Sequence, residues 1–233
     1  MEKKTYDFCI EVLKRYHKAG LLKHVIIVGS WCIYFYRDYF RGKSYITSIR
    51  TSDIDFLVPI PVMHTKNDDL FALVEDLGYI RTFSGDKGYI RFSHPELTIE
   101  FLVPEKGRAS DKPYPIPQLG INAQPLRYLH FLQDNAISLV FEGMNIRVPH
   151  PAAYALHKFI IFKRRTKPDK QNRDIEGALR VFRQLQLEGK NASIESVFRK
   201  MHRKWQTTVI GNLKSVGEDE IAAMLEEIRI SNH

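Results

Sequence analysis

The spacing of apolar side chains predicts alternating helices and strands over the first 149 residues. Apolar residues recur at helical intervals between positions 4 and 20, and Gly20 is a plausible end for that helix. The aromatic-rich segment 31–40 contains no helix breaker and predicts a helix, as does 68–77 before Gly78. Short apolar runs bounded by turn residues predict strands. These runs span residues 24–28, 53–59, 79–83, 88–93, 97–103, 137–142 and 145–148.

From Pro151 onward the pattern becomes helical throughout. The predicted helices span residues 151–165, 172–187, 192–206 and 217–229. Two other segments predict no regular element, namely a loop over 42–52 and a proline-rich extended connector over 112–120. We therefore expect an α+β fold with a small mixed or antiparallel sheet and flanking helices. A domain over residues 1–148 would precede a helical domain over 149–233.

Charge and composition limit the classes of binding partner that we expect for the chain. The chain of 233 residues has a net charge of +8, and residues 151–214 contain 15 Lys and Arg against 5 Asp and Glu. Such an excess suits a polyanion such as a nucleotide or RNA, although a solvated basic helix face is equally compatible. Two cysteines give no disulfide framework, so a reducing cytoplasm is expected. No secretory signal or membrane-spanning run is visible, and neither a Walker A nor an HExxH motif occurs.

Two aspartates at the start of an apolar strand are the most informative feature. Asp53 and Asp55 stand two residues apart, so in a strand they point to the same face. Two adjacent carboxylates repel each other, and a hard cation such as Mg²⁺ is the usual partner for clustered acidic oxygens. A solvated pair at a strand end is the alternative.

Glu100 is a lone carboxylate within the otherwise apolar run 97–103. Its burial without a partner would be costly, unless it lies on an edge strand and faces water. If this strand pairs with the strand of Asp53 and Asp55, the three acids can converge. Two Mg²⁺ ions held by them could bind a triphosphate and activate an attacking hydroxyl. Gly29-Ser30, between a strand and a helix, could receive phosphate at the helix N-terminus, or serve only as a turn and cap.

These segments resemble the polymerase β-like nucleotidyltransferase superfamily. Its pattern is a strand, Gly-Gly or Gly-Ser, a helix, Asp-x-Asp with apolar neighbours, and a third acid on a later strand. The resemblance implies transfer of a nucleoside monophosphate from an NTP, with Mg²⁺ or Mn²⁺ as cofactor. It implies that Asp53, Asp55 and Glu100 hold metal, that Glu100 helps deprotonate the acceptor, and that Gly29 and Ser30 contact the triphosphate. The gap of 22 residues between Ser30 and Asp53 is longer than usual, which leaves the role of Ser30 open.

The second half is similar to the bacterial toxin-type and antibiotic-resistance-type nucleotidyltransferases. Residues 148–158 match their strand, proline, helix and lysine arrangement, and a Lys-Arg-Arg run precedes Arg173-Asp174. This likeness implies that Lys158 faces the triphosphate and that Asp174 orients it. A surface lysine and an ordinary helical aspartate are the alternative.

The sequence does not determine which molecule accepts the nucleoside monophosphate. RNA such as tRNA, a protein hydroxyl and a small molecule all fit the chemistry, and an antitoxin partner is conceivable if the chain is a toxin. A function of a different class is also compatible with the fold. In that alternative the chain is a catalytically inactive nucleotidyltransferase module that binds RNA or nucleotide.

Overall fold

The computed structural model describes residues 2–40, 45, 51–63, 67–84, 88–105 and 112–231. Contacts divide the chain into two units. The first unit comprises Met1–Tyr39 and Ile46–Pro149, and the second comprises Phe40–Tyr45 and His150–His233. Most of the loop expected over 42–52 lies outside the described residues. Within the described part of the chain, no helix is both long and apolar enough to cross a membrane.

The first unit combines short strands with three helices in its described residues. The helices are α1 (Glu2–Lys18), α2 (Trp31–Phe40) and α3 (Leu129–Asp134). The strands are β1 (Ile26–Val28), β2 (Asp53–Leu57), β3 (Ile80–Ser84), β4 (Tyr89–Ser93), β5 (Thr98–Pro104), β6 (Tyr114–Ile116), β7 (Ile121–Leu126), β8 (Ala136–Phe141) and β9 (Met144–Pro149).

The main sheet is mixed, with neighbours in the order β1-β2-β5-β4-β3. β5 pairs in parallel with both β2 and β7, whereas β1 with β2, β4 with β5, and β3 with β4 are antiparallel. β6 extends the sheet from β7, and β8 and β9 form a separate hairpin. The predicted α+β class is therefore confirmed.

Aromatic residues of neighbouring strands fill the core beneath this sheet. The rings of Phe56 on β2 and Phe101 on β5 stack with centroids 6.1 Å apart. Phe92 on β4 meets Phe101 edge to face at 5.0 Å. All three side chains are almost completely buried, so apolar packing fixes which face of β2 and β5 points inward.

The second unit consists of helices that pack on one another. They are α4 (Pro151–Ile161), α5 (Pro168–Leu187), α6 (Asn191–Arg199), α7 (Arg203–Lys214) and α8 (Asp219–Ile230), with a 3₁₀ turn at Phe162–Arg164. Pro151 occupies the first turn of α4, where its missing N–H costs nothing. Phe159 of α4 and Phe182 of α5 are fully buried, with ring centroids 5.9 Å apart.

Several expectations from the sequence are wrong in detail. The segment 68–77 forms turns and a short 3₁₀ helix (Glu75–Leu77) rather than an α-helix. Hydrogen bonds inside the segment run mostly to the third residue back, as from Val74 to Phe71 and from Leu77 to Val74. The backbone N–H groups of Asp68 and Leu70 donate outside it, to the carbonyls of Gln118 and Leu119. The expected connector over 112–120 contains strand β6, and the pattern missed β7 and α3 entirely.

The helix expected over 192–206 is in fact two helices, α6 and α7. His202 separates them, because its ring Nδ1 accepts a hydrogen bond from the N–H of Lys204 and caps α7. The buried Gln206 donates to the carbonyl of Phe198 at 2.9 Å across the break. α5 also begins four residues earlier than expected, at Pro168 instead of residue 172.

Removal of a core ring from α5 should destabilise the second unit strongly. Phe182→Ala is expected to lower the free energy of unfolding by about 3–5 kcal/mol, because it deletes a fully buried ring. Leu187→Ala on the same helix is the matched control, since that side chain is 81% exposed, and it should change stability by at most about 0.5 kcal/mol. Urea denaturation followed by circular dichroism measures both. Equal losses would contradict the assigned packing of α5.

Candidate active site

The two aspartates of β2 lie on the same face of the sheet. Asp53 and Asp55 are both half-buried, whereas the intervening Ile54 and the following Phe56 are completely buried on the other face. This is the two-residue period of a strand with one apolar face. The hydroxyl of Thr51 donates to the carboxylate of Asp53 and holds the first of the two acids.

The parallel pairing of β2 with β5 brings the third acid beside them. Asp55 is the direct register partner of Glu100, and Asp53 is the partner of Thr98. Paired residues of neighbouring strands point to the same face, and the strands lie about 4.8 Å apart. The expectation that the strand of Glu100 pairs with that of Asp53 and Asp55 is therefore met. Glu100 is a half-buried residue within the sheet, not an edge residue facing water.

Gly29 lies directly against the carboxylate of Asp55. Val28 at the end of β1 is the register partner of Asp55, and Gly29 follows it with φ of +78°. A Cβ atom at position 29 would overlap Oδ2 of Asp55. Glycine is thus required here both by the backbone conformation and by the close approach of the acid. Ser30 is exposed, and its carbonyl accepts from the N–H of Ile33 in the first turn of α2.

Arg91 is a member of this site that the sequence pattern did not reveal. It lies on β4 directly opposite Glu100, and its Nη2 atom is 2.8 Å from Oε1 of Glu100. In the described residues, no three His, Cys, Asp or Glu side chains form a group that could hold a metal ion. The backbone register therefore brings Asp55 and Glu100 together, while the Glu100 side chain pairs with Arg91. Carboxylate oxygens suit Mg²⁺ or Mn²⁺ chemically, but Glu100 must reorient or share its oxygens to bind one.

The second unit contains a buried ion pair at the two other predicted residues. Nζ of Lys158 on α4 lies 2.5 Å from Oδ1 of Asp174 on α5, and both residues are more than nine-tenths buried. Nε of Arg165 donates to the other oxygen, Oδ2, at 2.9 Å. The structure thus brings Lys158 and Asp174 together. Their contact with a triphosphate stays a prediction.

The electrostatics of this cluster favour an ionised aspartate beside a neutral histidine. Burial alone would raise the pKa of Asp174, but the charge and hydrogen bond of Lys158, followed by those of Arg165, lower it below its usual value. The adjacent His157 is buried with no hydrogen-bond partner for Nε2 among the described residues. Burial, and then the charge of Lys158, lowers the pKa of His157 to about 3. His157 therefore stays neutral at physiological pH and is not a proton acceptor there.

Comparison with known proteins gives one family match. A family model described as Nucleotidyltransferase matches residues 8–202, which is most of the chain. No curated protein sequence is similar enough to count as a relative.

Solved structures with a similar course of the chain have low sequence identity. The antibiotic-resistance factor ANT(2'')-Ia in solution is 14% identical with a TM-score of 0.45, covering 86% of this chain and 100% of that one. The crystal structure of ANT(2'')-Ia in complex with adenylyl-2''-tobramycin is 13% identical with a TM-score of 0.44, and the match covers 97% of this chain and 98% of that one. An antigenic nucleotidyltransferase-like protein from Paracoccidioides brasiliensis is 14% identical with a TM-score of 0.46, and the match covers 97% of this chain and 92% of that one. At these identities and scores, the likenesses carry no information about the acceptor.

The contact between Gly29 and Asp55 can be tested through stability. Gly29→Ala is expected to lower the free energy of unfolding by more than Gly143→Ala. Both glycines have positive φ, which costs an L-residue about 1–2 kcal/mol. Only position 29 adds an overlap, since nothing lies within 4 Å of a Cβ at position 143. Urea denaturation of the two variants measures the difference, and equal losses would show that Asp55 does not lie against Gly29.

The buried histidines should make the second unit sensitive to acid. Burial, assisted by the charge of Lys190, lowers the pKa of His150 to about 4, whereas the unfolded value is about 6.5. The unfolded chain therefore binds a proton that the folded chain excludes, and stability falls as pH drops from about 6.5 to 4.

His150→Asn should reduce that loss without removing the cap of α4. The ring Nδ1 of His150 accepts from the N–H of Ala152 at 3.1 Å, and asparagine supplies an equivalent acceptor that does not titrate. His157 retains its own contribution of the same sign. Urea denaturation at several pH values measures the slope, and an unchanged slope in the variant would contradict the burial of neutral His150.

Proposed function

Because the chain belongs to a nucleotidyltransferase family, we propose that it transfers a nucleoside monophosphate from an NTP to an acceptor in a reaction that requires a divalent metal. The observation that carries this proposal is the register of β2 and β5, which places Asp55 beside Glu100. Asp53 lies on the same face of β2. Three acids at neighbouring positions of one sheet face are what metal-assisted phosphoryl transfer requires.

Asp53, Asp55 and Glu100 are the residues that would hold Mg²⁺ or Mn²⁺. When bound, the metal supplies charge neutralisation for the triphosphate and a lowered pKa for the attacking hydroxyl. By the family resemblance, Asp53 and Asp55 would hold both metal ions and Glu100 would hold the catalytic one. Glu100 would also help to take the proton of the acceptor hydroxyl, and Arg91 lies 2.8 Å from its carboxylate. Attack in line with the leaving pyrophosphate needs positioning and charge, and no covalent protein intermediate.

Two further groups are proposed to bind the triphosphate. Gly29 and Ser30 expose backbone at the turn that enters α2, where a helix N-terminus favours anions. Lys158, Asp174 and Arg165 form a cluster with a net positive charge in the second unit, and the family resemblance implies that Lys158 and Asp174 belong to the part that receives the triphosphate. Removal of either group should weaken NTP binding more than the chemical step.

The acceptor is proposed to be polyanionic. Residues 151–214 contain 15 basic and 5 acidic side chains. This positive charge favours RNA, such as tRNA, as the acceptor over a cationic small molecule. A protein hydroxyl and a small molecule remain as further acceptor classes, and an antitoxin partner would accompany a toxin function. The rival hypothesis of an inactive binding module is disfavoured, since all three acids and Gly29 are present in register.

Neutralisation of the acids tests the reaction. Asp53→Asn, Asp55→Asn and Glu100→Gln should each lower transfer at least about a hundredfold, because each removes a ligand worth several kcal/mol to the transition state. The assay incubates the protein with each labelled NTP, Mg²⁺ or Mn²⁺ and total cell RNA, and measures label transferred to the RNA.

Asp134→Asn is the matched control, since Asp134 is an exposed acid at the end of α3 in the same unit. Its activity should equal that of the wild type. Wild-type protein that binds RNA with a steep salt dependence but never labels it would support the inactive module. Transfer that persists in the Asp53 and Asp55 variants would contradict the proposed metal site.

A further inference from the structure

Two cations share the buried carboxylate of Asp174, and only one of them is exposed. Lys158 is 6% exposed, and its Nζ atom is engaged by Oδ1 of Asp174 with the ring of Tyr154 at 5.8 Å. The side chain of Arg165 is 40% exposed, and it contacts Asp174 through Nε. Lys158 therefore neutralises Asp174 inside the unit, whereas Arg165 extends from the same carboxylate to the surface.

The position of Arg165 is fixed from both its backbone and its side chain. Its N–H donates to the carbonyl of Phe162 at 3.1 Å, which closes the 3₁₀ turn after α4. Its carbonyl accepts from Nε2 of Gln171 on α5 at 3.0 Å. Its Nε donates to Oδ2 of Asp174 at 2.9 Å. The two backbone contacts fix the position of the residue and the Nε contact orients its guanidinium, so that less side-chain entropy is lost when a ligand binds.

The outer edge of this guanidinium has no acceptor in the described part of the chain. Neither Nη atom donates a hydrogen bond there, although Nε does. Two parallel N–H groups on one planar edge match two oxygens of a phosphate. An arginine whose Nε is bound to a carboxylate and whose Nη atoms are exposed is a preorganised phosphate receptor.

Neighbouring side chains reinforce the positive potential around Arg165. Lys163, Lys167 and Lys170 are exposed, and none of them makes an ion pair with a described residue. Asp169 is the one acidic residue between positions 163 and 173. The local charge therefore attracts an anion toward this surface, and Asp174 contributes little repulsion because two cations already neutralise it.

We propose that Arg165 is the residue of this cluster that directly binds a phosphate group of the NTP. Lys158 then acts through Asp174, as a buried positioning residue that keeps the carboxylate ionised and in place. This inference rests on the proposed nucleotidyl transfer for the identity of its ligand, and it replaces the direct lysine contact that the family resemblance implies.

Binding measurements with a ligand that lacks base and sugar test the proposal directly. Isothermal titration calorimetry should show that inorganic tripolyphosphate and the NTP used in transfer both bind the wild-type protein in Mg²⁺. Arg165→Met should weaken both by about tenfold to a hundredfold, the value of one charge-assisted hydrogen-bonded contact. Arg165→Lys should recover only part of the loss, because lysine keeps the charge but not the planar pair of donors.

Arg180→Met is the matched control, as an exposed arginine on α5 that makes no ion pair with a described residue. It should change tripolyphosphate binding by less than about twofold. Thermal unfolding confirms that each variant is folded. Equal effects of Arg165→Met and Arg180→Met would overturn the proposal, as would wild-type protein that binds neither ligand. Loss of binding in a folded Lys158→Met variant, with Arg165→Met unaffected, would return the contact to Lys158.

The transfer assay separates this inference from the proposed function. Arg165-dependent binding of tripolyphosphate without any label transfer would refute nucleotidyl transfer and support the phosphate site. Normal transfer by Arg165→Met, with unchanged tripolyphosphate binding, would refute the phosphate site and leave the proposed reaction standing.

Discussion

The parallel pairing of β2 with β5 is the constraint on which the candidate active site depends. A shift of this pairing by one residue would turn Glu100 to the opposite face and leave Asp55 beside an apolar side chain. Packing of Phe56 against Phe101 on the buried face prevents such a shift. The hydrophobic core therefore determines the register, and the register determines which carboxylates become neighbours. Strand β1 pairs with β2 so that Val28 lies opposite Asp55, and Gly29, the next residue, therefore lies beside the same site.

In the second unit, the important interaction is between the buried carboxylate of Asp174 and two cationic side chains. A carboxylate as buried as Asp174 is stable in its charged form only when cations accompany it, and Lys158 and Arg165 supply them from two sides. The arrangement links the interior of the helical unit to its surface through one side chain. A buried pair of this kind adds little net stability, and the phosphate contact that we propose for Arg165 would use the orientation that the pair imposes.

Local sequence pattern was sufficient for much of the fold and for the acids. The helix at Trp31–Phe40 was predicted with its observed bounds, and the two-residue period correctly placed Asp53 and Asp55 on one face. The lone carboxylate of Glu100 suggested a link between its strand and that of the two aspartates, but the pairing of β5 with β2 was only a condition until the structure showed it. The segment 68–77 forms turns instead of the predicted helix, and the N–H groups of Asp68 and Leu70 bond to residues about fifty positions away, a contact that no local pattern encodes.

Partners that come from elsewhere in the fold were missed for the same reason. Arg91 faces Glu100 only because β4 and β5 are in a particular antiparallel register. Arg165 stood in a visible Lys-Arg-Arg run, but nothing in that run shows which of the three reaches Asp174. The roles proposed for the acids, Gly29 and Arg165 are thus chemical interpretations of an observed arrangement.

The most direct test of the central claim is to locate the metal. A crystal of the protein with Mn²⁺ and a non-hydrolysable NTP analogue would show the ion by its anomalous scattering. We expect manganese bound to oxygens of Asp53, Asp55 and Glu100. The carboxylate of Glu100 should then either have turned away from Arg91 or contact both the ion and Arg91. Manganese bound elsewhere, or an NTP analogue bound with Glu100 still paired only to Arg91, would contradict it.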